Sequence, residues 1–331
     1  MSATLKSNAG VFWCAALLAC APAASFGQPQ AAKDYPSKPI RFVVPFVPGG
    51  FDHIAHTLGK KIAPVIGQNM FVDNRAGAGG VIGTDLVAKS PPDGYTILLQ
   101  GSGHTILPNV SKRLPYDPVK DFKPITLVAK SVGSVLVVHP SVPARSVREF
   151  VALAKAHPGK LNYGSGGVGS GMHFAAEVFI LESRTQMTHV PYKGVGQAII
   201  DLLSGRIDVG VVSARAVLAH VRPGKLRGLG ITAPERWSEL PDVPTMDEAG
   251  LKGYTYTLWY GLWFPAGTPT EYVARIRAEV VRAFEDPEIK RTFVTGGLLP
   301  VASTPQEFSK TILDDIEFNR RLVARMGLTP K

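Results

Sequence analysis

The chain has 331 residues, 45% of them apolar, with 36 Lys and Arg against 26 Asp and Glu and only two cysteines. That length accommodates one large domain or two ordinary ones, and the apolar content excludes an intrinsically disordered chain. A formal charge of +10 raises nucleic-acid binding as a class. No Lys/Arg run and no basic stretch interleaved with aromatics accompanies it, so the charge reads as solvated surface with mild attraction for small anions.

Lys6, an apolar run over residues 11–19 and the small-residue stretch CAPAASFGQ carry the parts of a secretory signal peptide. The leader is predicted over residues 1–27. The run falls short of the roughly 20 apolar residues a bilayer span needs, and no later segment reaches that length. Cys14 and Cys20 both lie in the leader, so the exported chain is expected to carry no thiol and no disulfide. The LLAC sequence loosely resembles a lipoprotein box, but leucine before the alanine fits poorly, and lipid anchoring at Cys20 is disfavoured.

Beyond the linker, apolar β-type runs alternate with helical patterns. A strand at residues 40–46 leads through Pro-Gly-Gly to a helix at 52–66, with Asp52 as its N-cap. MFVDNR leads through AGAGG to a helix at 81–89, and YTILLQ runs into GSGH. Continuous apolar strands followed by helices predict α/β architecture with mainly parallel sheets covered on both faces. At residues 125–139 the pattern changes to one long extended stretch. A fresh series follows: a helix at 146–157, a strand at 160–163, a helix after Ser170, a strand at 187–190, a helix at 196–204, and strands at 207–212 and 226–231. A second extended run, YTYTLWYGLWFPAG, leads to helices at 270–285 and 305–326. Two extended runs bracketing a middle series predict two lobes joined by two crossovers: residues 37–130 plus 257–331, and residues 131–256. A cleft between such lobes is a natural ligand site, because strand ends and helix N-termini converge there.

The richest loop is LNYGSGGVGSGMHFAA, which contains G-x-G-x-x-G at Gly164, Gly166 and Gly169. A dinucleotide fingerprint needs an acidic residue about 20 positions further on to hold ribose. That region reads TQMTHVPYKG and has no carboxylate, so dinucleotide binding is set aside. A Gly/Ser loop feeding a helix still points backbone N–H groups, and the positive end of the helix dipole, at one spot. Ser165 and Ser170 add hydroxyls, and the loop reads as a cradle for an anion, carboxylate or phosphate. Similar turns recur at Gly49-Gly50, at Gly101-Ser102-Gly103, at Tyr192-Lys193-Gly194 and at Ser213; any one of them alone reads as an ordinary βα turn, and it is their number on one predicted rim that points to a site.

These stretches, with YPSKPIRFVVPFVPGG, DNRAGAGGVIGT, PPDGYTILL, HVPYKGVGQAIIDLLSGRIDVG, PGKLRGLGIT, LPDVPTMDEAG and GLWFPAGTP, resemble the periplasmic solute receptors of tripartite tricarboxylate transporters, often called Bug receptors. They keep the family's order from about residue 35 to the C-terminus. The resemblance implies a two-lobed periplasmic binding fold of the type with two crossover strands. It further implies capture of a small carboxylate and delivery to an integral-membrane transporter. Transferred to this chain, Phe46, Gly49 and Gly50 would form the first-lobe wall and loop, with Ser102 and Gly103 as further donors. Gly164, Ser165, Gly166 and Ser170 would form the second-lobe cradle, and Ser213 a side-chain donor. The chain departs from the family at Gly49-Gly50-Phe51-Asp52, one residue shorter and with Phe51 in place of a hydroxyl. That removes a polar contact and would draw back Asp52, which the resemblance makes a contact to the ligand's polar end. Asp52 therefore stays among the candidate ligand residues, and the expected ligand is a less polar carboxylate, aromatic acids included, packed on Phe51.

The remaining signals stay bland. His53 and His56 lack a third metal ligand, and no metal or cofactor is expected. His173 reads as a packing or capping residue, Lys193 as a solvated lysine, and the Trp/Tyr run as core or hinge packing. There is no G-x-S-x-G elbow, no H-E-x-x-H, no Walker loop and no cysteine nucleophile after the leader, so no enzyme is expected. The rival readings are an extracytoplasmic ligand sensor serving a signalling partner and, behind it, an enzyme on the same scaffold. A monomer without nucleic-acid partners is expected.

Overall fold

The computed structural model describes Met1, Ser2, Thr4 and residues 35–327 except 169 and 193. The leader expected over residues 1–27 therefore lies, apart from three positions, outside the described residues, as do both cysteines, Gly169 and Lys193. From residue 35 the elements run β1 (Ile40–Val44), α1 (Gly50–Ile66), β2 (Met70–Asn74), α2 (Val81–Ala88), β3 (Thr96–Gly101), α3 (Gly103–Val110) and β4 (Phe122–Ser131). The middle series is β5 (Ser134–Val138), α4 (Val147–Ala156), β6 (Asn162–Ser165), α5 (Gly171–Ser183), β7 (Thr188–Pro191), α6 (Val195–Leu203), β8 (Val209–Ser213), α7 (Ala214–Val221) and β9 (Arg227–Ile231). The chain closes with β10 (Trp259–Pro265), α8 (Thr270–Ala283), α9 (Pro287–Thr295), β11 (Leu298–Pro300) and α10 (Pro305–Arg325).

The strands form two sheets, ordered β11-β4-β10-β3-β1-β2 and β7-β6-β8-β5-β9. β1 is parallel to β2 and β3, and β6 is parallel to β7 and β8. The strands that run against them are informative. β5 lies antiparallel between β8 and β9, and β10 lies antiparallel between β3 and β4. Each is the first strand made after the chain crosses between sheets. The fold is thus two α/β lobes with two crossovers.

Burial on both faces explains the apolar strands. In β1, Phe42 and Val44 pack with α1 and α8 on one face, while Val43 joins Leu98, Trp263 and Phe308 on the other, as a period of two requires. α1 buries Ile54, Leu58, Ile62 and Ile66, spaced four apart so that they line one stripe. Each such side chain stabilises the fold by about 1.5–3 kcal/mol through burial. The helix ends at Gly67, whose φ of 70° is the left-handed conformation that glycine adopts at low cost. α10 opens with a capping box, Thr304 accepting from the Glu307 amide while Glu307 accepts from the Thr304 amide. Its first turns bury Phe308 and Ile312 with the first sheet. Its last turns bury Leu322 and Val323 with the second.

The extended stretch read at residues 125–139 is two strands in different sheets. The break falls at Gly133, where φ is +94° and a Cβ would lie 2.8 Å from the Ala233 nitrogen. The returning crossover runs beside it: Ser131 N–H donates to Leu258 O at 2.7 Å, and Leu258 N–H donates to Ser131 Oγ at 3.1 Å. The second extended run is strand only from Trp259 onward. α3, α7, α9 and β11 go beyond the elements read from the sequence. α3 carries Pro108 internally, a residue that argues against a helix when met in sequence.

Candidate ligand site

On the first lobe, the β1–α1 turn holds Phe46, Gly49, Gly50, Phe51 and Asp52. The sequence reading made Asp52 the N-cap; the structure corrects this. The helix begins two residues earlier, with Gly49 as N-cap and Asp52 at its third position. Glycine has no side chain to cap with, so the Asp52 carboxylate reaches back to accept the Gly49 N–H at 2.8 Å. Its other oxygen accepts from Asn74 Nδ2 at 2.9 Å, and the same amide donates to Phe46 O at 3.0 Å. Asp52 is buried and braces the loop from behind. Asn74, at the end of β2, is a partner that sequence reasoning missed; its only signal was its place in DNRAGAGG.

Phe51 lies in an aromatic wall. Its ring stacks on Phe46 at 4.7 Å and meets Tyr260 edge-on at 5.1 Å. It covers Gly101 so closely that a Cβ there would lie 3.2 Å from its ring. Phe46, Phe51 and Tyr260 are each only partly buried and pack against the first-sheet core. Tyr260 belongs to the run that the sequence assigned to packing.

Ser102 and Gly103 sit where β3 passes into α3. Ser102 is buried and bonded twice to Trp259: its N–H donates to Trp259 O at 3.1 Å, and its Oγ accepts the Trp259 N–H at 3.0 Å. The Ser102 hydroxyl hydrogen remains available to a second acceptor. Gly103 opens α3, so its N–H has no carbonyl one turn back to bond, and the space around its α-carbon is open.

On the second lobe, β6 delivers the Gly/Ser loop to α5. Gly164 is packed from below: a Cβ there would lie 2.4 Å from Ile207 Cδ1 and 3.3 Å from Ala198 Cβ. Ser165 is fully buried, with Oγ 2.6 Å from His189 Nε2 and accepting the Gly167 N–H at 3.1 Å. These two residues shape the loop from beneath. Gly166 and Ser170 are partly exposed. Ser170 is the N-cap of α5, its Oγ accepting the His173 N–H at 3.2 Å. Ser213, at the end of β8, is exposed and begins α7 without a side-chain capping bond.

Beneath this loop lies a stack of rings. His173 and His189 lie face to face at 4.2 Å, and Tyr163 stacks on His189 at 4.8 Å. The Tyr163 hydroxyl donates to Glu177, whose carboxylate also lies 3.8 Å from His173 Nε2. Burial first, and then the neighbouring His189, hold the His173 pKa down to about 4, and burial lowers that of His189. Both rings are therefore neutral near pH 7, and they join β6, β7 and α5 without placing charge below the cradle. His189 is a second partner that sequence reasoning missed; its only signal was its place at the head of HVPYKGVGQ.

Among the described residues no group of three or more His, Asp or Glu is placed to hold a metal, and no helix is long and apolar enough to cross a membrane. A surface hollow of 590 Å³ bounded by Arg222, Leu226, Arg227 and Pro241 includes none of these loops.

Comparison with known proteins decides the family. The model described as the tripartite tricarboxylate transporter family receptor matches residues 54–328. The chain belongs to that family of receptors. It is 36% identical to the protein BugT of Bordetella pertussis over 297 residues, covering 89% of this chain and 91% of BugT. Among solved structures, Rpa4515 of R. palustris with adipate superposes with a TM-score of 0.81 at 30% identity, over 90% of this chain and 100% of that one. MatC from Rhodopseudomonas palustris with bound malate gives 0.76 at 30% identity, over 87% and 100%. Receptors of this kind are periplasmic binding proteins with two lobes.

Proposed function

We propose that this receptor is exported by its leader at residues 1–27 and takes one small carboxylate into the cleft between its lobes. It closes on the acid and passes it to the membrane subunits of a tripartite tricarboxylate-type transporter. It acts as a monomer, touches the transporter transiently and converts nothing. The lobes divide as residues 37–130 plus 257–331 and residues 131–256. The carrying observation is the repetition of one device on both sheets: α3, α5 and α7 each follow a strand and start behind a serine, Ser102 and Ser213 directly at the strand end and Ser170 after the glycine loop that leaves β6. Helix N-termini present unpaired N–H groups and favour negative charge. Relatives solved with adipate and malate support a carboxylate as the anion.

The partly exposed Phe46–Phe51–Tyr260 wall supports a ligand whose body is apolar, aromatic acids included. Micromolar binding requires about 8 kcal/mol. A few charge-assisted bonds at roughly 1.5–3 kcal/mol each, with apolar contact on the wall, are of the right size once ordering costs are subtracted. A bound acid bridging both lobes would shift the population toward the closed form.

Isothermal titration of the leaderless protein with citrate, malate, adipate and benzoate tests this. Micromolar binding of one or more acids without their conversion is expected, with benzoate ahead of citrate. No heat from any acid, or consumption of one, overturns the receptor reading. Citrate binding with none from benzoate overturns the apolar wall alone.

A further inference from the structure

Behind the Ser102–Gly103 loop lies a polar junction for which ligand capture alone has no use. Half-buried Asp315, in the middle of α10, accepts from the indole N–H of Trp259 at 3.1 Å and from the Thr105 hydroxyl with the same oxygen. Thr105 is fully buried in the first turn of α3, and its hydroxyl also lies 2.8 Å from Ser102 O. Asn319, one turn along α10, points its amide at Thr105 Oγ1 from 3.4 Å. Asn109 of α3 donates to the Ile316 carbonyl of α10 at 3.2 Å. Trp259 in turn carries both bonds to Ser102.

The location of this junction gives it meaning. Trp259 is the first residue of β10, directly after Leu258, which is bonded to Ser131 where the two crossovers run side by side. Helix α10 spans the same boundary, burying Phe308 with the first sheet and Leu322 and Val323 with the second. Arg325 at its end lies 3.7 Å from Glu182 of α5. Asp315 thus grips, from the helix joining both cores, the crossover strand and the helix that begins at the ligand loop.

We propose that Asp315 is a positioning residue that locks the Ser102–Gly103 donors to the crossover, so that binding at the loop and closure of the lobes are one event. It touches no ligand; it acts through Trp259 and Thr105. The carboxylate must be held against its burial, which pushes its pKa up while the bonds from Thr105, Trp259 and Asn319 oppose that rise. The inference rests on the carboxylate-receptor reading for its purpose, but its mechanical content can be tested without ligand.

The experiment compares Asp315→Ala with Asp315→Asn, whose amide oxygen still accepts from Trp259 and Thr105. In the ligand-free protein, hydrogen exchange across residues 102–107 is expected to quicken at least tenfold in D315A and to stay within threefold of wild type in D315N. Exchange in β1 and β6 should not change in either. With an acid that binds wild type, D315A is expected to lose at least tenfold in affinity and the ligand-induced fall in radius of gyration, and D315N to keep both. Unchanged exchange in D315A, or unchanged binding and compaction, overturns the inference. Slowed or lost folding in D315A alone is covered by D315N, which must behave as wild type. Failure of wild type to bind any acid counts against the receptor reading, while the exchange result still decides the positioning role.

Discussion

Alanine at two helix starts tests whether the backbone proposed to face the ligand is more than a tight turn. At Gly50 and Gly103 a Cβ would meet nothing within 4 Å, and neither residue takes a positive φ. Nothing in packing or backbone geometry demands glycine there. Alanine at these positions should leave the fold as stable as before, or more stable by up to about 0.5–1 kcal/mol, because it restricts the unfolded chain and suits a helix better. On the proposed reading, the same methyl would stand where a carboxylate oxygen approaches the first N–H groups of α1 or α3. Losing one charge-assisted bond of roughly 1.5–3 kcal/mol corresponds to about a 10- to 100-fold loss in affinity. Urea unfolding and isothermal titration of Gly50→Ala and Gly103→Ala read the two effects separately. Full stability with weakened binding is expected. Full stability with wild-type affinity for every bound acid would refute the argument that these N–H groups face the ligand.

Gly261 offers the opposite case: a Cβ there would lie 2.0 Å from Phe308 Cζ, so Gly261→Ala should destabilise by about 2 kcal/mol or more through overpacking, with Phe308→Val recovering part of it in urea unfolding. Removing Asp52 and Asn74 singly and together should show a coupling of about 1–2 kcal/mol in a double-mutant cycle, since they share one bonded network; strict additivity would mean the bonds contribute nothing. Burial holds His104 and His173 at a pKa of about 4 against an ordinary 6.5. The neutral rings therefore contribute stability that is complete above pH 6.5 and is lost as pH falls toward 4, on the order of 2 kcal/mol each at pH 5. Urea midpoints unchanged between pH 7.5 and pH 5 would contradict that assignment.

Much of the architecture was legible because continuous apolar strands such as IRFVV can only be covered on both faces, and because two runs lacking helical period marked the crossovers. The candidate site was legible as loops and not as geometry. Gly164 and Ser165 belong to the same motif as Gly166 and Ser170, yet the first pair is buried under packing and a histidine while the second pair is partly exposed. Local sequence cannot reveal which residues of a glycine loop are spoken for by Ile207 or His189, more than twenty positions away. Asp52 was misread for a related reason: an acidic residue near a helix start suits both the N-cap and the third position, and only the absence of a side chain on Gly49 selects the reciprocal arrangement. Asp315 gave no signal, since one aspartate on an amphipathic helix looks like any solvated face until Trp259 and Thr105 are brought to it.

The most direct measurement is a structure of the leaderless receptor crystallised with an acid it is shown to bind. The account predicts carboxylate oxygens about 2.7–3.1 Å from main-chain N–H groups at the starts of α3 and α5, and the remainder of the acid against Phe46 and Phe51. An acid seated instead on arginine side chains, in the hollow beside Arg222 and Arg227, would contradict it.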